Sequence, residues 1–170
     1  LVLGPDQRWA TVERLAVMGR IGTAEIDAEA ERDATTAGAE SAATARAGLP
    51  TPAAKEAAWK ELVAAEGPTL GIRRAIAQGF WRPEHIDVTR SYLERYVTDI
   101  GALLRGPSPE LARSIADDAF PDTLVEEATV ASVDRLLEES DIDPSFRRIL
   151  IEQRADLLRA IRARELDEPD

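Results

Sequence analysis

The only histidine of this 170-residue chain, His85, is the residue best suited to metal or acid–base chemistry. It lies in the segment Arg82-Pro83-Glu84-His85, and it could ligate a metal ion together with Glu84 and Asp87. A zinc peptidase, however, commonly places two histidines one helical turn apart in a His-Glu-x-x-His motif. One histidine cannot provide that motif, and a histidine at a helix start is more often structural. We therefore predict no catalytic, metal-binding or cofactor-binding residue in this chain.

The residue patterns of nucleophilic catalysis and of phosphate binding are also missing from the sequence. There is no cysteine, and a serine nucleophile would need a base that only His85 could provide. No Gly-x-Ser-x-Gly elbow occurs, and neither of the common glycine-rich phosphate-binding patterns is present. The sequence therefore argues against an independent hydrolase and against a nucleotide-dependent enzyme.

Two acidic clusters could in principle bind calcium or act as paired carboxylates. Neither follows the EF-hand pattern, which requires a glycine at the turn and a glutamate at a fixed distance. In a chain with a net charge of −11, such runs are usually solvated helix ends, and that is our interpretation. The clusters comprise Asp117, Asp118 and Asp122, and Glu138, Glu139, Asp141 and Asp143.

The net charge and composition limit the partners of the chain. A formal charge of −11 and a pI near 4.7 would repel a phosphate backbone or an anionic membrane, so we expect no nucleic acid and no membrane as partners. No apolar run is long enough to span a membrane, and the lack of cysteine fits a reducing compartment. We expect a cytoplasmic location. The chain opens on Leu1-Val2-Leu3 rather than on methionine, which suggests a piece of a longer protein.

Helix-start signals recur along the chain. Thr51-Pro52, Ser108-Pro109 and Asp143-Pro144 each place a capping oxygen before a proline at the first helical position. Thr123 and Glu126 have the spacing of a capping box. These signals predict four helix starts.

The apolar residues repeat with helical spacing, and no stretch shows sustained period-two alternation. One wide stripe runs from Tyr92 to Leu104, and another runs through the last predicted helix. The helices are expected near residues 6–18, 23–33, 36–47, 52–65, 70–80, 84–105, 109–119, 123–140 and 144–165.

The fold class is therefore all-α with about nine helices in a single domain over residues 1–170. Pairs of helices begin at intervals of roughly 30 to 40 residues, which is typical of helical-hairpin repeats. This spacing favours a short α-solenoid, a superhelix like those of HEAT and armadillo repeats. A non-repeating helical array is the alternative. The alanine-rich segment 39–47 would let two helix backbones approach closely.

Four large aromatic residues can either fill the core or form a contact surface. Trp9 and Trp59 lie on apolar helix faces and are predicted to be core residues. Phe80 and Trp81 lie at a helix end before Arg82-Pro83, where they could pack in the core or dock against another domain. They are the candidate domain-interface residues.

Six segments of the chain carry a family resemblance: Asp6-Gln7-Arg8-Trp9 through Arg14-Leu15 and Gly19, Ala24-Glu25-Ile26-Asp27, Glu31-Arg32-Asp33, Gly48-Leu49-Pro50-Thr51, Lys55-Glu56-Ala57-Ala58-Trp59 and Tyr92-Leu93-Glu94-Arg95-Tyr96. Together they resemble the C-terminal helical domain of aminopeptidase N from actinobacteria, and the related domain of the endoplasmic-reticulum aminopeptidases is similar in outline. The resemblance covers nearly the whole chain in order.

This resemblance implies a helical-repeat domain that follows the catalytic domain of a zinc aminopeptidase, caps its active site and limits access to short peptides. The expected partners are the catalytic domain of the same polypeptide and peptide substrates. Zinc would belong to the parent's catalytic domain, since the His-Glu-x-x-His and Gly-Ala-Met-Glu-Asn motifs are absent here. The fragment alone would not be an enzyme. The alternative is a free-standing α-solenoid adaptor that binds another protein.

Overall fold

The computed structural model describes residues 3–138 and 142–167, and within them the chain is all-α, as predicted. Ten α-helices occur in these residues, and they divide between two compact units, Leu1–Thr89 and Arg90–Asp170. The stacking of hairpins into a superhelix and the single domain over 1–170 stay predictions. None of the described helices combines the length and the apolar character that crossing a bilayer requires.

Unit 1 is built around a central alanine-rich helix. That helix packs against the two helices before it and the two after it, most extensively against the fifth. One part of the core joins Trp9, Ile26 and Leu49 with buried alanines of the first and third helices. The helices are α1 Pro5–Val17, α2 Thr23–Arg32, α3 Thr36–Ala47, α4 Pro52–Val63, α5 Leu70–Phe80 and α6 Ile86–Thr89, with a 3₁₀ turn at Pro83–His85 before α6.

The close approach of α3 and α5 confirms the prediction made from the alanine-rich segment. A Cβ atom added to Gly79 would lie 2.1 Å from the carbonyl oxygen of Thr44, so a side chain would not fit there. The hydroxyl of Thr44 in turn donates to the carbonyl of Ala75 at 3.1 Å. Small residues on both helices thus permit backbone contact at this crossing.

The described residues of unit 2 form four helices, and the first of them carries the predicted apolar stripe. Tyr96 is buried on this helix, packs edge-on against Phe120 and donates its hydroxyl to the carbonyl of Ala116 at 2.8 Å. The last helix carries the second apolar stripe, in which Phe146 and Leu150 are buried, whereas Ile151 is exposed. The helices are α7 Tyr92–Leu104, α8 Pro109–Asp118, α9 Glu127–Glu138 and α10 Pro144–Asp167.

Three of the four predicted helix starts are confirmed. The Thr51 hydroxyl accepts from the amide of Ala54, and Asp143 Oδ1 accepts from the amides of Ser145 and Phe146 at 3.0 Å each. The helix after Ser108 also begins at the predicted proline, although the Ser108 side chain makes no capping hydrogen bond.

The predicted capping box of Thr123 and Glu126 is wrong, since α9 begins only at Glu127. The amides of Leu124 and Glu126 bond in tight turns to the carbonyls of Pro121 and Leu124, so the segment before α9 is not helical. The carboxylate of Glu126 binds the guanidinium of Arg90 at 3.1 and 3.2 Å rather than the backbone of Thr123. The carboxylate of Glu126 thus forms a tertiary ion pair instead of the local bond that a capping box requires.

The single helix predicted over 84–105 is also wrong. The chain forms the 3₁₀ turn at Pro83–His85 and the short α6, turns at Arg90 and Ser91, and begins α7 at Tyr92. The hydroxyl of Thr89 is buried and donates to the carbonyl of His85. This interruption lies at the boundary between the two units. It divides the predicted helix into α6 and α7, so the described residues contain ten helices rather than nine.

Candidate functional site

Phe80 and Trp81, the candidate interface residues, are buried inside unit 1. Phe80 is 0% exposed and Trp81 is 5% exposed, and their ring centroids lie 4.9 Å apart in an edge-on arrangement. Both rings also contact Trp59, at 5.3 and 6.2 Å. This aromatic cluster accounts for the two side chains without a second domain. Their role in a domain contact stays a prediction, whereas the predicted core positions of Trp9 and Trp59 are confirmed.

A fully buried lysine lies against this cluster. The ammonium group of Lys55 is 5.2 Å from the ring centroid of Phe80. It donates to the carbonyls of Ala47 at 2.6 Å and Phe80 at 2.8 Å, which are the last residues of α3 and α5. The negative ends of two helix dipoles therefore face the charge. Burial lowers the pKa of Lys55 to about 7, and the positive charge of Arg82 adds to this effect.

A second buried cation, Arg73, is used in the same way. Its guanidinium donates to the carbonyls of Leu62 at 2.5 Å, Ala64 at 2.7 Å and Pro68 at 3.2 Å, around the end of α4. Its side chain is 2% exposed, and burial lowers its pKa. Carbonyl groups at helix ends thus solvate both buried cations. The N–H groups of Lys55 and Arg73 that make these bonds stabilise the fold.

Sequence reasoning missed both cations, although the helical register contains a signal for each. Lys55 shares a helix face with Trp59 and Leu62, and Arg73 shares one with Ile76 and Phe80. A basic residue on an apolar face predicts either burial or a stem that reaches to solvent. The outcome depends on whether the fold brings the carbonyl groups of a helix end to the basic group.

His85 is buried at the end of unit 1, with 6% of its surface exposed. Its Nε2 lies 2.9 Å from the carbonyl oxygen of Val17, the last residue of α1. Its Nδ1 is buried and has no hydrogen-bond partner among the described residues. Burial is the main cause of the lowered pKa of His85. Glu84 and Asp87, the other candidate ligands, have exposed side chains.

The acidic clusters do not form a metal centre in the part of the chain that the structure describes. No group of three or more histidine, aspartate or glutamate side chains is arranged there to hold a metal ion. Asp143 caps α10 and pairs with Arg113 at 3.3 Å, and Asp117 accepts from Gln153 at 3.1 Å. Glu139 and Asp141 lie outside the described residues.

A cavity of about 630 Å³ lies in unit 1 between α2, α3, α4 and α5. Nine alanines line this cavity, together with Leu49, Ile72 and Ile76. Asp33 and Glu61 contribute two carboxylates to the lining, and Arg46 contributes one guanidinium, which pairs with Asp27 at 2.5 Å. A volume of about 300–1,000 Å³ is typical of small-ligand pockets, so the cavity could accept an apolar side chain near a negative charge.

Comparison with known proteins assigns the chain to a family. Aminopeptidase N of Streptomyces lividans is 36% identical over 167 residues, which cover 98% of this chain and 20% of that protein. The chain thus spans about a fifth of the length of the curated relative that it matches. A family model described as the ERAP1-like C-terminal domain matches residues 1–159. Because this match extends over nearly the whole chain, the protein belongs to the ERAP1-like C-terminal domain family.

Proposed function

We propose that this chain is the C-terminal domain of a zinc-dependent aminopeptidase N, in which it caps the active site and shapes the access of peptide substrates. The observation that carries this proposal is the match to aminopeptidase N, which takes in 98% of the chain but only 20% of that protein. The catalytic part of the same polypeptide is then its first partner. The proposed location is the cytoplasm, on the ground that the chain contains no cysteine.

The domain has no catalytic role of its own in this proposal. Among residues 3–138 and 142–167, the side chains do not provide a set of zinc ligands, so they do not fit a zinc site. The zinc and the general base would belong to the catalytic domain, as the family resemblance implies. The buried side chains of Lys55 and Arg73 donate to backbone carbonyls at helix ends, so this proposal gives them a structural role. The domain would contribute to the enzyme through its shape and its charge.

The cavity of unit 1 suggests how the domain would contact a peptide. Its alanine-lined wall would receive an apolar side chain, and the exposed carboxylate of Glu61 would attract a positively charged group of the peptide. In the full-length enzyme, Glu61→Gln should therefore raise the KM for cationic peptides and leave kcat nearly unchanged. Glu31→Gln is the matched control, because Glu31 is exposed and lies outside the cavity lining. An equal KM in the wild type and the Glu61 variant would exclude this contact.

The decisive experiment compares three proteins on a fluorogenic alanyl substrate and on peptides of graded length, each with zinc. The proteins are this chain, the full-length polypeptide and the same polypeptide without residues 1–170. We expect activity in the full-length protein, none in the isolated chain, and altered selectivity for peptide length in the truncated protein. An active isolated chain, or a truncated protein with unchanged selectivity, would refute the proposal. An unchanged truncation would instead favour the adaptor function.

A further inference from the structure

His85 links the last segment of unit 1 to its first helix. Residues 82–89, which comprise the 3₁₀ turn and α6, end unit 1 and lead directly into unit 2. The hydrogen bond from His85 Nε2 to the carbonyl of Val17 spans 68 residues of sequence and ties this segment to the end of α1. The helix that follows the turn is only four residues long, so its own hydrogen bonds give it little stability.

This bond requires a proton on Nε2, because a carbonyl oxygen can only accept, and in the neutral ring Nδ1 then carries no proton. The other ring nitrogen, Nδ1, is buried without a partner among the described residues. A second proton, on Nδ1, would give the ring a positive charge and would bury an N–H group that has no acceptor. The ring can therefore take up that proton only if the segment moves towards water.

The positive charges around His85 also oppose protonation of its ring. Lys55 on α4 and Arg82 on the same segment place positive charge near the ring, and Glu84 partly offsets it. Glu13 on α1 interacts with Arg82, and burial raises the pKa of Glu13. On acidification Lys55 gains charge and Glu13 loses it, so the repulsion of a second cation at His85 increases. Arg14 lies in the same surface groove as Glu13, Arg82 and Glu84.

We propose that His85 is a proton-sensitive latch: its neutral ring holds residues 82–89 against α1, and uptake of a second ring proton releases this segment from unit 1. The released ring has the ordinary pKa of 6.5, whereas the latched ring resists protonation. Lowering the pH from about 7.5 to about 5 should then raise the population of the released segment by up to about 30-fold.

Hydrogen exchange of the intact protein, read by mass spectrometry on peptides that cover 82–89, tests this latch. After correction for the intrinsic pH dependence of exchange, protection of these peptides should fall by about 10-fold to 30-fold at pH 5. Peptides from α3 should keep their protection. Unchanged protection of 82–89 would overturn the proposal, and so would an equal loss in α3, because that result indicates general acid unfolding.

Two substitutions separate the latch from the other titrating groups. His85→Gln places an uncharged amide N–H where Nε2 lies, so it should keep 82–89 protected at both pH values. His85→Asn places its amide nearer the position of Nδ1 and cannot reach Val17, so it should leave the segment released at both. If the Gln variant loses protection at pH 5 as the wild type does, another group titrates and the latch is wrong. The same holds if the Asn variant stays protected.

Discussion

Substitution of Gly79 by alanine tests the close packing of α3 and α5. The added Cβ would lie 2.1 Å from the Thr44 carbonyl oxygen and 3.0 Å from Ala47 Cβ, whereas ordinary contacts begin near 3.4 Å. The nearest atom belongs to the backbone of α3, so it cannot rotate away. The two helices would have to separate by about 1 Å, which would also lengthen the 3.1 Å hydrogen bond from Thr44 to Ala75.

The expected net loss is about 2 kcal/mol of unfolding free energy. Overpacking of this kind costs about 1–3 kcal/mol, and the weakened hydrogen bond adds about 1 kcal/mol. The better helix propensity of alanine returns about 1 kcal/mol. For a unit of this size, a loss of about 2 kcal/mol lowers the melting temperature by about 8–16 °C.

Urea unfolding followed by tryptophan fluorescence is the appropriate assay, because all three tryptophans of the chain lie in unit 1. With a typical urea dependence, the midpoint should fall by about 1 M. The matched control is Gly101→Ala, since a Cβ there meets only the flexible side chain of Arg105 at 3.6 Å. Circular dichroism should show that this control stabilises unit 2 by about 0.5–1 kcal/mol. An unchanged fluorescence midpoint for Gly79→Ala would refute the packing argument.

Two further predictions concern charge and capping. Between pH about 7 and 10.5 the folded state holds fewer protons on Lys55 than the unfolded state, so stability should rise by up to about 2 kcal/mol from pH 7 to pH 9. Urea midpoints should show this rise in the wild type and in Lys60→Met, whose side chain is exposed, but not in Lys55→Met. Asp143→Ala should destabilise unit 2 by about 1 kcal/mol because α10 loses its cap. Ser108→Ala should cost less than about 0.5 kcal/mol, since Ser108 makes no capping bond, and equal thermal shifts for these two variants would contradict this reasoning.

The sequence by itself determined the all-α class, most helix positions and the family. Helix starts such as Thr51 and Asp143 depend on hydrogen bonds within four residues, so the local residue types are sufficient to predict them. Trp9 and Trp59 were also predictable as core residues, because helical periodicity places them on apolar faces. The ordered resemblance to aminopeptidase N was likewise present in the residues alone, and the family comparison confirms it.

Only the tertiary structure decided how groups distant in sequence pair with one another. Glu126 bonds to Arg90, 36 residues away, and this pair replaces the capping box that the local spacing predicts. Lys55 is buried because the ends of α3 and α5 supply carbonyl acceptors, 8 and 25 residues away along the chain. No local pattern encodes such partners, since burial of a polar group depends on which acceptors the fold brings to it. The same reason explains why the bond of His85 to Val17, 68 residues away along the chain, could not be predicted from the sequence.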